Sequence, residues 1–470
     1  MNDTANPIVN PTHSDEWFSG RRITLMGLGQ FGGGLGVARW LLARGARVTI
    51  TDLASDATLA PSLTPIADAV ADGRVDLHLG SHDTRDFEGA DLVVANAAVP
   101  RPWTNKYLCA ARDAGVPVTT EIRLAIERLG TGRIVGITGS SGKSTTTAMT
   151  ACALAGSGRE VRCGGNIGGS LLGASPPSVR EWIVLELSSA QLWWLSRDAG
   201  AAGWSPRVAA LTNIAANHVD WHGSLEHYIE SKRQIRREQR EDGVFVTAFT
   251  RENRVESEAF ARSTAGGGWW IGGNDPASLG MEEVALAIPG EHQQRNAQLA
   301  LAIAATCADI DGEPANLSGA RAALRSFQGL EHRLQAVGVV NGVRCFNDSK
   351  ATTPQATHLA LASLGNLSRI HLIAGGYDKK IDLSSIRDLA GKVAGLYAIG
   401  ETARAIAPAP PALRFDSLAE AVASAFAHAK SGDTLLLSPS CASFDQFTNY
   451  EARGHAFIKL VRDRVAGSHC

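Results

Sequence analysis

The chain has 470 residues, of which 44% are hydrophobic and 20% are charged, and its formal net charge is −2. This length predicts two to four domains of about 100–200 residues each. The balanced charge gives no global field to recruit nucleic acid or an anionic membrane, and no apolar run approaches the ~18 residues of a membrane span. Seven scattered cysteines without a CxxC pair indicate reduced thiols. We therefore expect a cytoplasmic globular protein without nucleic acid or a membrane as a partner.

The N-terminal third carries a glycine-rich turn between two predicted strands. After a polar segment, 1–17, that predicts a disordered tail, an apolar strand at 22–26 leads into Gly27-Leu28-Gly29-Gln30-Phe31-Gly32. The next strand ends at Asp52, which completes the spacing of a dinucleotide-binding Rossmann-like unit. Because such a turn binds any diphosphate, it predicts either NAD or a nucleotide-diphosphate substrate.

A second phosphate loop is the most informative segment of the chain. The run Thr138-Gly139-Ser140-Ser141-Gly142-Lys143-Ser144-Thr145 follows an apolar strand at 133–137. Its backbone N–H groups and the following helix N-terminus would hold a phosphate. We expect Lys143 on the β- and γ-phosphates and the Ser144 hydroxyl on magnesium. Ile137 occupies a glycine position of the general P-loop, so the match is to T-G-x-x-G-K-[ST]-[ST]; a purely structural turn is the alternative.

Polar residues follow two further buried strands of the central region. Glu186 ends the apolar strand at 182–187, and His218 and Asp220 follow the strand at 208–212. Ligands gather at the carboxyl ends of parallel strands, and Mg²⁺ prefers one or two carboxylates with phosphate oxygens. We therefore expect Glu186 and His218 to be metal ligands, against the alternatives of a rim carboxylate and a surface histidine.

Several other residues favour an ordinary structural role when they are considered alone. Lys232 lies in a polar helix at 225–240 that would present a solvated face. Cys441 is expected to be a buried thiol rather than a nucleophile. The pairs Trp193-Trp194 and Trp269-Trp270 are expected to pack in a core or an interface rather than to stack on bases.

The C-terminal third begins with a predicted hairpin at Asn341-Gly342 and continues with strands near 370–374, 396–399 and 434–437. The alternation of strands and helices predicts an α/β protein with mainly parallel sheets. We expect three domains: a Rossmann-like domain at 1–121, a P-loop domain at 122–328 and a C-terminal Rossmann-like domain at 329–470.

The motifs together resemble the Mur ligase family of peptidoglycan synthesis, and two of them resemble its glutamate-adding branch. The segments that carry the resemblance are the P-loop, Gly164-Gly165-Asn166-Ile167-Gly168, Leu185-Glu186-Leu187-Ser188-Ser189, His218-Val219-Asp220 with Tyr228 and Lys232, Asn296-Ala297, His332-Arg333, Asn347-Asp348-Ser349-Lys350-Ala351-Thr352 and the run 438–447. They occur in family order from about residue 22 to the end.

The resemblance implies a monomeric ligase that uses ATP and two Mg²⁺ ions to add D-glutamate to UDP-N-acetylmuramoyl-L-alanine through an acyl phosphate. It implies that Lys232 is carbamylated and shares a metal with His218, while Ser144 and Glu186 hold the other. The implied ATP contacts are Gly139, Ser140, Ser141, Gly142, Lys143, Ser144, Thr145, Asn296, Arg333 and Asp348. The implied UDP-substrate contacts are Gly29, Gln30, Phe31, Asp52, Asn96, Asn166 and Ser188. The implied glutamate contacts are Lys350, Thr352, Lys379, Ser443 and Tyr450.

The chain departs from the family pattern at Gln30-Phe31, Leu53-Ala54 and Asn96-Ala97-Ala98, which face UDP in relatives, and at Thr353 and Tyr450 near the amino-acid site. A related ligase with L-glutamate or another nucleotide sugar is therefore an alternative. An NAD-linked oxidoreductase and a nucleotide-switched binding protein are the alternatives from other classes.

Overall fold

The computed structural model describes residues 12–29, 32–167, 170–200, 202–215, 219–247, 283–378 and 381–467, with the backbone alone at 219–220 and 465–467. The chain divides into two compact units, Met1–Glu283 with Arg295–Leu324, and Val284–Gln294 with Arg325–Cys470. Across the described ranges, none of the helices combines the length and the apolar character that a bilayer crossing would require.

The first unit contains a five-stranded parallel sheet in the order β3-β2-β1-β4-β5. Its strands are β1 (Arg22–Met26), β2 (Arg47–Asp52), β3 (Val75–Leu79), β4 (Leu92–Ala95) and β5 (Val118–Thr120). Its helices are α1 (Gly33–Leu42), α2 (Asp56–Leu63), α3 (Ala67–Ala71), α4 (Thr84–Glu88), α5 (Lys106–Asp113) and α6 (Glu121–Ile126). The central strands β1 and β4 are almost wholly buried, as expected for parallel strands covered on both faces.

The segment just before β1 differs from the expected loose tail. Asp15–Phe18 forms a short 3-10 helix, and the Asp15 carboxylate accepts from the guanidinium groups of Arg44 and Arg128. The Phe18 ring is fully buried against Trp40. The prediction of a disordered segment is therefore wrong for residues 12–17, because buried aromatic contacts and ion pairs hold them; residues 1–11 lie outside the described ranges.

A second parallel sheet, in the order β10-β9-β6-β8-β7, carries the P-loop. Its strands are β6 (Ile134–Thr138), β7 (Val161–Gly165), β8 (Trp182–Glu186), β9 (Val208–Leu211) and β10 (Val244–Thr247). Its helices are α7 (Lys143–Gly156), α8 (Ser189–Trp194), α9 (Val219–His222), α10 (Leu225–Arg237), α11 (Glu291–Asp311) and α12 (Leu317–Arg325). Strands β6 and β8 are fully buried, so their carboxyl ends share one edge of the sheet.

An aromatic cluster connects the first sheet to the second. Trp103, on the loop after β4, lies with its ring centroid 5.2 Å from that of Trp193 on α8 and 5.6 Å from that of Trp221 on α9. Trp193 and Trp194 are buried, which confirms the packing role expected for this pair. Trp269 and Trp270 lie outside the described ranges.

The second unit contains a six-stranded sheet in the order β11-β12-β16-β13-β14-β15. Its strands are β11 (Gln335–Val340), β12 (Val343–Asn347), β13 (Ile370–Gly375), β14 (Gly395–Ile399), β15 (Leu413–Phe415) and β16 (Thr434–Leu437). Its main helices are α13 (Pro354–Leu364), α14 (Ser384–Arg387), α15 (Ala403–Ile406), α16 (Leu418–His428) and α17 (Tyr450–Gly467). Only the β11–β12 pair is antiparallel among the described pairs.

The predicted hairpin and fold class are confirmed. Asn341 and Gly342 both have positive φ, 50° and 80°, as a two-residue turn between right-twisted strands requires. The described residues thus form an α/β fold with three sheets, as predicted. The expected domain boundaries at 121/122 and 328/329 stay predictions, because the first two sheets form one compact unit.

Candidate nucleotide and metal centre

The P-loop is a tight turn between β6 and α7 that only glycine can form at two positions. Gly139 has φ 148° and Gly142, the N-cap of α7, has φ 77°. A Cβ at Gly139 would collide with Thr212 Oγ1 at the end of β9. The turn brings the backbone close to the neighbouring strand and directs the N-terminus of the 14-residue helix α7 at the loop. This geometry fits an anion at the helix N-terminus.

Side chains from the segment after β9 fix the loop from the other side. Asn213 Oδ1 accepts from Ser141 N at 3.0 Å, and Asn213 Nδ2 donates to Ser141 O at 3.1 Å. Ser140 Oγ lies 2.8 Å from both Ala215 O and Tyr228 Oη. The polar groups of the loop therefore have defined partners. Asn213 and Tyr228 were not predicted to hold the loop, since no motif marks them for that task.

Lys143 and Ser144 occupy the first turn of α7, as predicted. Lys143 Nζ donates to Ser140 O at 3.2 Å, so its ammonium group lies over the loop. The Ser144 side chain is buried at the same helix start, and Thr145 follows it. Asn296 of α11 packs against this turn, because its Oδ1 accepts from Thr146 Oγ1 at 3.1 Å and lies 3.0 Å from where a Cβ of Gly142 would stand.

Glu186 ends β8 beside the P-loop strand. The strand register pairs Ile137 with Glu186, so the carboxylate follows the same sheet edge as the loop. Asn166 Nδ2 donates to Glu186 Oε1 at 2.9 Å, while Oε2 is buried without a hydrogen-bond partner in the described part of the chain. An oriented carboxylate with one uncommitted buried oxygen fits a hard divalent cation. The rim-carboxylate alternative is wrong, since the side chain is 2% exposed.

Lys232 is the most unusual residue of the centre. It is 1% exposed, and its Nζ donates to Gly139 O at 2.8 Å and lies 3.4 Å from Thr138 Oγ1. Burial, with help from the Lys143 charge and against the Glu186 charge, lowers the pKa of Lys232 well below its usual value. Burial therefore makes the charged form of this amine less favourable than it is in an exposed lysine, and the solvated-face interpretation is wrong for this residue.

Two further residues predicted for the centre are His218, whose position is not described, and Ser188, which caps a helix. His218 lies outside the described ranges, as does the side chain of Asp220. Ser188 caps α8, since its Oγ accepts from Gln191 N at 3.1 Å and Gln191 Oε1 accepts from Ser188 N. This capping box fixes the direction of the chain directly after Glu186.

The glycine turn of the first sheet is closed by two of the predicted substrate residues. Asp52 Oδ2 accepts from Gly29 N at 3.1 Å, and Asp52 Oδ1 accepts from Ala54 N at 2.8 Å. Asn96 Nδ2 donates weakly to Gly27 O at 3.4 Å, while its Oδ1 accepts from Ala98 N. These side chains shape the turn; Gln30 and Phe31 lie outside the described ranges.

In the second unit, Asp348 is a buried acid at the end of β12. Its Oδ1 accepts from Leu334 N at 3.0 Å and its Oδ2 from Ser438 Oγ at 2.8 Å. Burial raises the pKa of Asp348 to about 7, and these two hydrogen bonds oppose the rise. Arg333 is exposed one residue before Leu334, so the acid and this arginine flank the same short segment.

Three of the residues predicted to contact glutamate, Lys350, Thr352 and Ser443, lie on loops of the second unit, and Tyr450 is the first residue of α17. Lys350 Nζ lies 5.0 Å from the centroid of the Tyr450 ring, and Thr352 is half-buried nearby in sequence. Ser443 is buried on the loop after β16. Lys379 lies outside the described ranges. The departure at Thr353 has a local cause, since its Oγ1 caps α13 by accepting from Ala356 N.

One further feature of this unit, the buried Arg453, was not predicted. Cys441 is buried beside Thr402 Oγ1, as expected for a structural thiol, but the carbonyl group of Cys441 accepts from the buried guanidinium of Arg453. No sequence signal separates Arg453 from the other basic residues of α17, because only tertiary contacts bury it.

Glu331, His332 and His455 place potential metal-ligand atoms within 4.8 Å of one another. Asn347 Nδ2 donates to His332 Nδ1 at 2.8 Å, and Asn347 Oδ1 accepts from Ser349 N, which fixes that orientation. The neutral ring therefore carries its proton on Nε2 and offers no lone pair there. This cluster does not fit a metal site.

Comparison with known proteins assigns the family. The family model for the Mur ligase middle domain matches residues 137–267, and the model for the Mur ligase glutamate ligase domain matches residues 332–441. A UDP-N-acetylmuramoylalanine–D-glutamate ligase from Anaeromyxobacter dehalogenans is 37% identical, with 95% of this chain and 98% of that protein aligned. One of the same name from Symbiobacterium thermophilum is 38% identical over 91% and 95%.

Solved structures agree on the fold. A UDP-N-acetylmuramate-alanine ligase from Thermotoga maritima matches with a TM-score of 0.57 and 18% identity, covering 94% of this chain and 99% of that chain. A MurF ligase from the same organism, solved in complex with ADP, matches with a TM-score of 0.52 and 17% identity, covering 99% and 100%.

The family models and relatives that the chain matches show that it is an ATP-dependent, amide-bond-forming ligase. Its P-loop, with the buried Glu186 and Lys232, agrees with this class. It belongs to the Mur ligase family. The predicted family, fold and enzyme class are confirmed, and the oxidoreductase and nucleotide-switch alternatives are not supported.

Proposed function

We propose that this ligase adds D-glutamate to UDP-N-acetylmuramoyl-L-alanine in the cytoplasm, as a monomer, in a step of peptidoglycan precursor synthesis. The relatives described above are named for that reaction, and they align with this chain over nearly their whole length. The observation that carries the proposal is that Lys143, Glu186 and Lys232 lie around one P-loop. Lys232 contacts Gly139, and it is close enough to Lys143 and Glu186 for both charges to shift its pKa.

Amide formation needs the substrate carboxylate to gain a better leaving group than oxide. Transfer of the γ-phosphoryl group of ATP to that carboxylate breaks the bond between the γ-phosphorus and its bridging oxygen and forms an acyl phosphate. Lys143 and the N-terminus of α7 would hold the phosphates and offset their charge, which is the main task of a protein in phosphoryl transfer. The glutamate amine then attacks the acyl carbon, phosphate leaves, and the amine loses its proton.

The residues present fit magnesium. Glu186, whose Oε2 has no described partner, and Ser144 at the helix start would hold one ion, and Asn166 keeps the Glu186 carboxylate oriented. His218 and a carbamate on Lys232 would hold the second ion. Bound magnesium would neutralise phosphate charge during the transfer.

Carbamylation would make Lys232 a suitable ligand. A neutral amine forms an N–C bond with CO₂ and releases a proton, which converts the lysine side chain into an anionic oxygen ligand of the kind that Mg²⁺ prefers. The burial of Lys232, and its lack of an ion pair with any carboxylate in the described ranges, support this modification. Without it, the described residues of the centre would place two lysines beside one carboxylate.

The remaining substrate contacts follow the family motifs. We assign Asn296, Arg333 and Asp348 to the adenosine and phosphate groups of ATP. Gly29, Gln30, Phe31, Asp52, Asn96, Asn166 and Ser188 are assigned to the UDP-substrate. Lys350, Thr352, Lys379, Ser443 and Tyr450 are assigned to glutamate, whose two carboxylates suit lysines and hydroxyl groups.

The test is a phosphate-release assay with MgATP, UDP-N-acetylmuramoyl-L-alanine and either D- or L-glutamate. We expect release that requires both the nucleotide sugar and D-glutamate, with a product whose mass equals the two substrates joined less one water. Release with L-glutamate but not with D-glutamate would show that the enzyme uses the L-enantiomer. Release only with another amino acid would overturn the proposal.

A further inference from the structure

Arg453 is a buried cation in the first turn of α17. Its side chain is 1% exposed, and it forms no ion pair with a carboxylate in the described ranges. Burial lowers the pKa of Arg453 to about 10. A buried charge without a paired charge is costly unless hydrogen bonds compensate it, so the hydrogen bonds of this guanidinium decide whether its burial is tolerated.

The guanidinium compensates its burial with four hydrogen bonds to two loops. Nε donates to Ser349 Oγ at 3.0 Å and Nη2 to Ser349 O at 2.9 Å. Nη2 also donates to Cys441 O at 3.0 Å, and Nη1 to Ala442 O at 3.0 Å. The main-chain carbonyl oxygens of Ser349, Cys441 and Ala442 each accept a hydrogen bond from this guanidinium.

The two loops follow neighbouring parallel strands of the sheet. Strand β12 pairs with β16, and Asn347 stands opposite Leu437, so the segments after these strands leave the same sheet edge. Ser349 directly precedes Lys350, and Ala442 directly precedes Ser443. The fork of Arg453 thus connects the backbone just before Lys350 with the backbone just before Ser443, two of the residues that we assign to glutamate binding.

The rest of the first turn of α17 supports the same arrangement. Ser349 Oγ donates to Tyr450 O at 2.8 Å, and the Tyr450 ring lies under the Lys350 ammonium. Ala442 O also accepts from Tyr377 N at 3.0 Å, which brings the segment after β13 into the network. A lysine could not reproduce the network, because it lacks the planar fork that reaches several acceptors at once.

We propose that Arg453 is a positioning residue that sets glutamate affinity by fixing the Lys350 loop relative to the Ser443 loop. The proposal rests on the proposed function for the identity of the amino acid. It does not require Arg453 to touch the substrate. Loss of the fork would let the two loops separate and would weaken binding of the amino acid more than binding of the nucleotides.

The test compares Arg453→Lys, Arg453→Ala and Ser349→Ala with the matched control Arg462→Lys, which changes an exposed arginine on the same helix. The KM for glutamate, the KM for ATP, the KM for the nucleotide sugar and kcat are measured for each. We expect a rise of about tenfold or more in the glutamate KM for both Arg453 variants and a smaller rise for Ser349→Ala. The two other KM values should stay within about twofold.

A chemical rescue separates a positioning role from general destabilisation. Guanidinium ions, added below the unfolding transition, should enter the space left in Arg453→Ala and lower its glutamate KM, while leaving Arg462→Lys unchanged. Equal changes in all three KM values, or an unchanged glutamate KM, would overturn the proposal. If Arg453→Ala does not fold, Arg453→Lys and Ser349→Ala decide the question by the same measurements.

The outcome stays separate from that of the proposed function. If the wild-type enzyme accepts another amino acid instead of glutamate, the proposed substrate is wrong, and the KM for the accepted amino acid then replaces the glutamate KM. A selective rise in that value would still support the positioning role, and its absence would reject it.

Discussion

Lys232 Nζ lies 2.8 Å from the carbonyl oxygen of Gly139, so a buried amine of α10 is fastened to the first glycine of the P-loop. One helical turn earlier, Tyr228 Oη lies 2.8 Å from Ser140 Oγ. These two side chains are four residues apart and therefore project from the same face of the helix. The position of α10 and the shape of the phosphate loop are thus coupled.

Lys143→Ala should reduce kcat by at least about 10²–10³-fold, because the charge that develops on the transferred phosphoryl group loses the P-loop cation that we expect to offset it. The measurement is phosphate release at saturating substrates, with circular dichroism to confirm folding. Lys392→Ala, at an exposed lysine of the second unit, is the control. Turnover near the wild-type rate would contradict the placement of Lys143.

Lys232→Ala should be nearly inactive, yet short carboxylic acids such as acetate should restore part of the activity by supplying the missing oxygen ligand. The intact wild-type protein, analysed by mass spectrometry under conditions that preserve carbamates, should carry the added mass of one CO₂. Arg237→Ala, on a partly exposed arginine of the same helix, should need no additive. A fully active Lys232→Ala enzyme would reject the carbamate.

Asn166→Ala should raise the magnesium concentration needed for half-maximal activity by about tenfold, since the hydrogen bond to Glu186 Oε1 orients the carboxylate. Glu186→Gln should raise it further, because it removes the anionic ligand itself. Both variants are titrated with MgCl₂ at a fixed ATP concentration. Identical magnesium curves for wild type and both variants would show that neither side chain serves the metal.

Asp348→Asn should change how stability depends on pH. The folded-state pKa of about 7 lies above the ordinary value of 3.8, so the stabilising contribution of the protonated acid is complete below pH 3.8 and is lost as pH rises through 7. The amide cannot ionise and escapes this loss. Relative to wild type, the variant should gain up to about 4 kcal/mol in free energy of unfolding between pH 4 and pH 8.

Denaturant unfolding at several pH values measures this difference. Asp388→Asn, at an exposed aspartate of the same unit, provides the comparison. Parallel stability curves for wild type and Asp348→Asn across this range would mean that Asp348 is ionised in the folded protein throughout.

The strands and the P-loop could be predicted because their signals are local. Runs such as 182–185 are apolar throughout, and a glycine-rich turn followed by Lys143 and Ser144 between a strand and a helix is typical of a phosphate loop. The contacts of Gly139 with Thr212 and Asn213 could not be predicted, since they depend on which strand lies beside β6.

Helix α10 shows where sequence reasoning fails. Lys232 and Arg236 are both buried, at 1% and 2% exposure, although they belong to a polar helix that predicted a solvated face. Arg236 reaches the Phe245 ring of β10, 4.7 Å from its centroid. Long basic side chains bury their stems while their charged ends find local partners, and only the tertiary structure decides which of them do so. For the same reason, the burial of Arg453 could not be predicted from the sequence.

The tryptophan cluster gives the molecule a built-in optical signal. Trp103 comes from the first sheet, while Trp193 and Trp221 belong to helices beside the second, and the ring centroids of the latter two are 6.1 Å apart. Indole rings this close interact as coupled chromophores, so near-ultraviolet circular dichroism would register any separation of the two sheets. Loosening of the first unit could thus be followed spectroscopically without an attached dye.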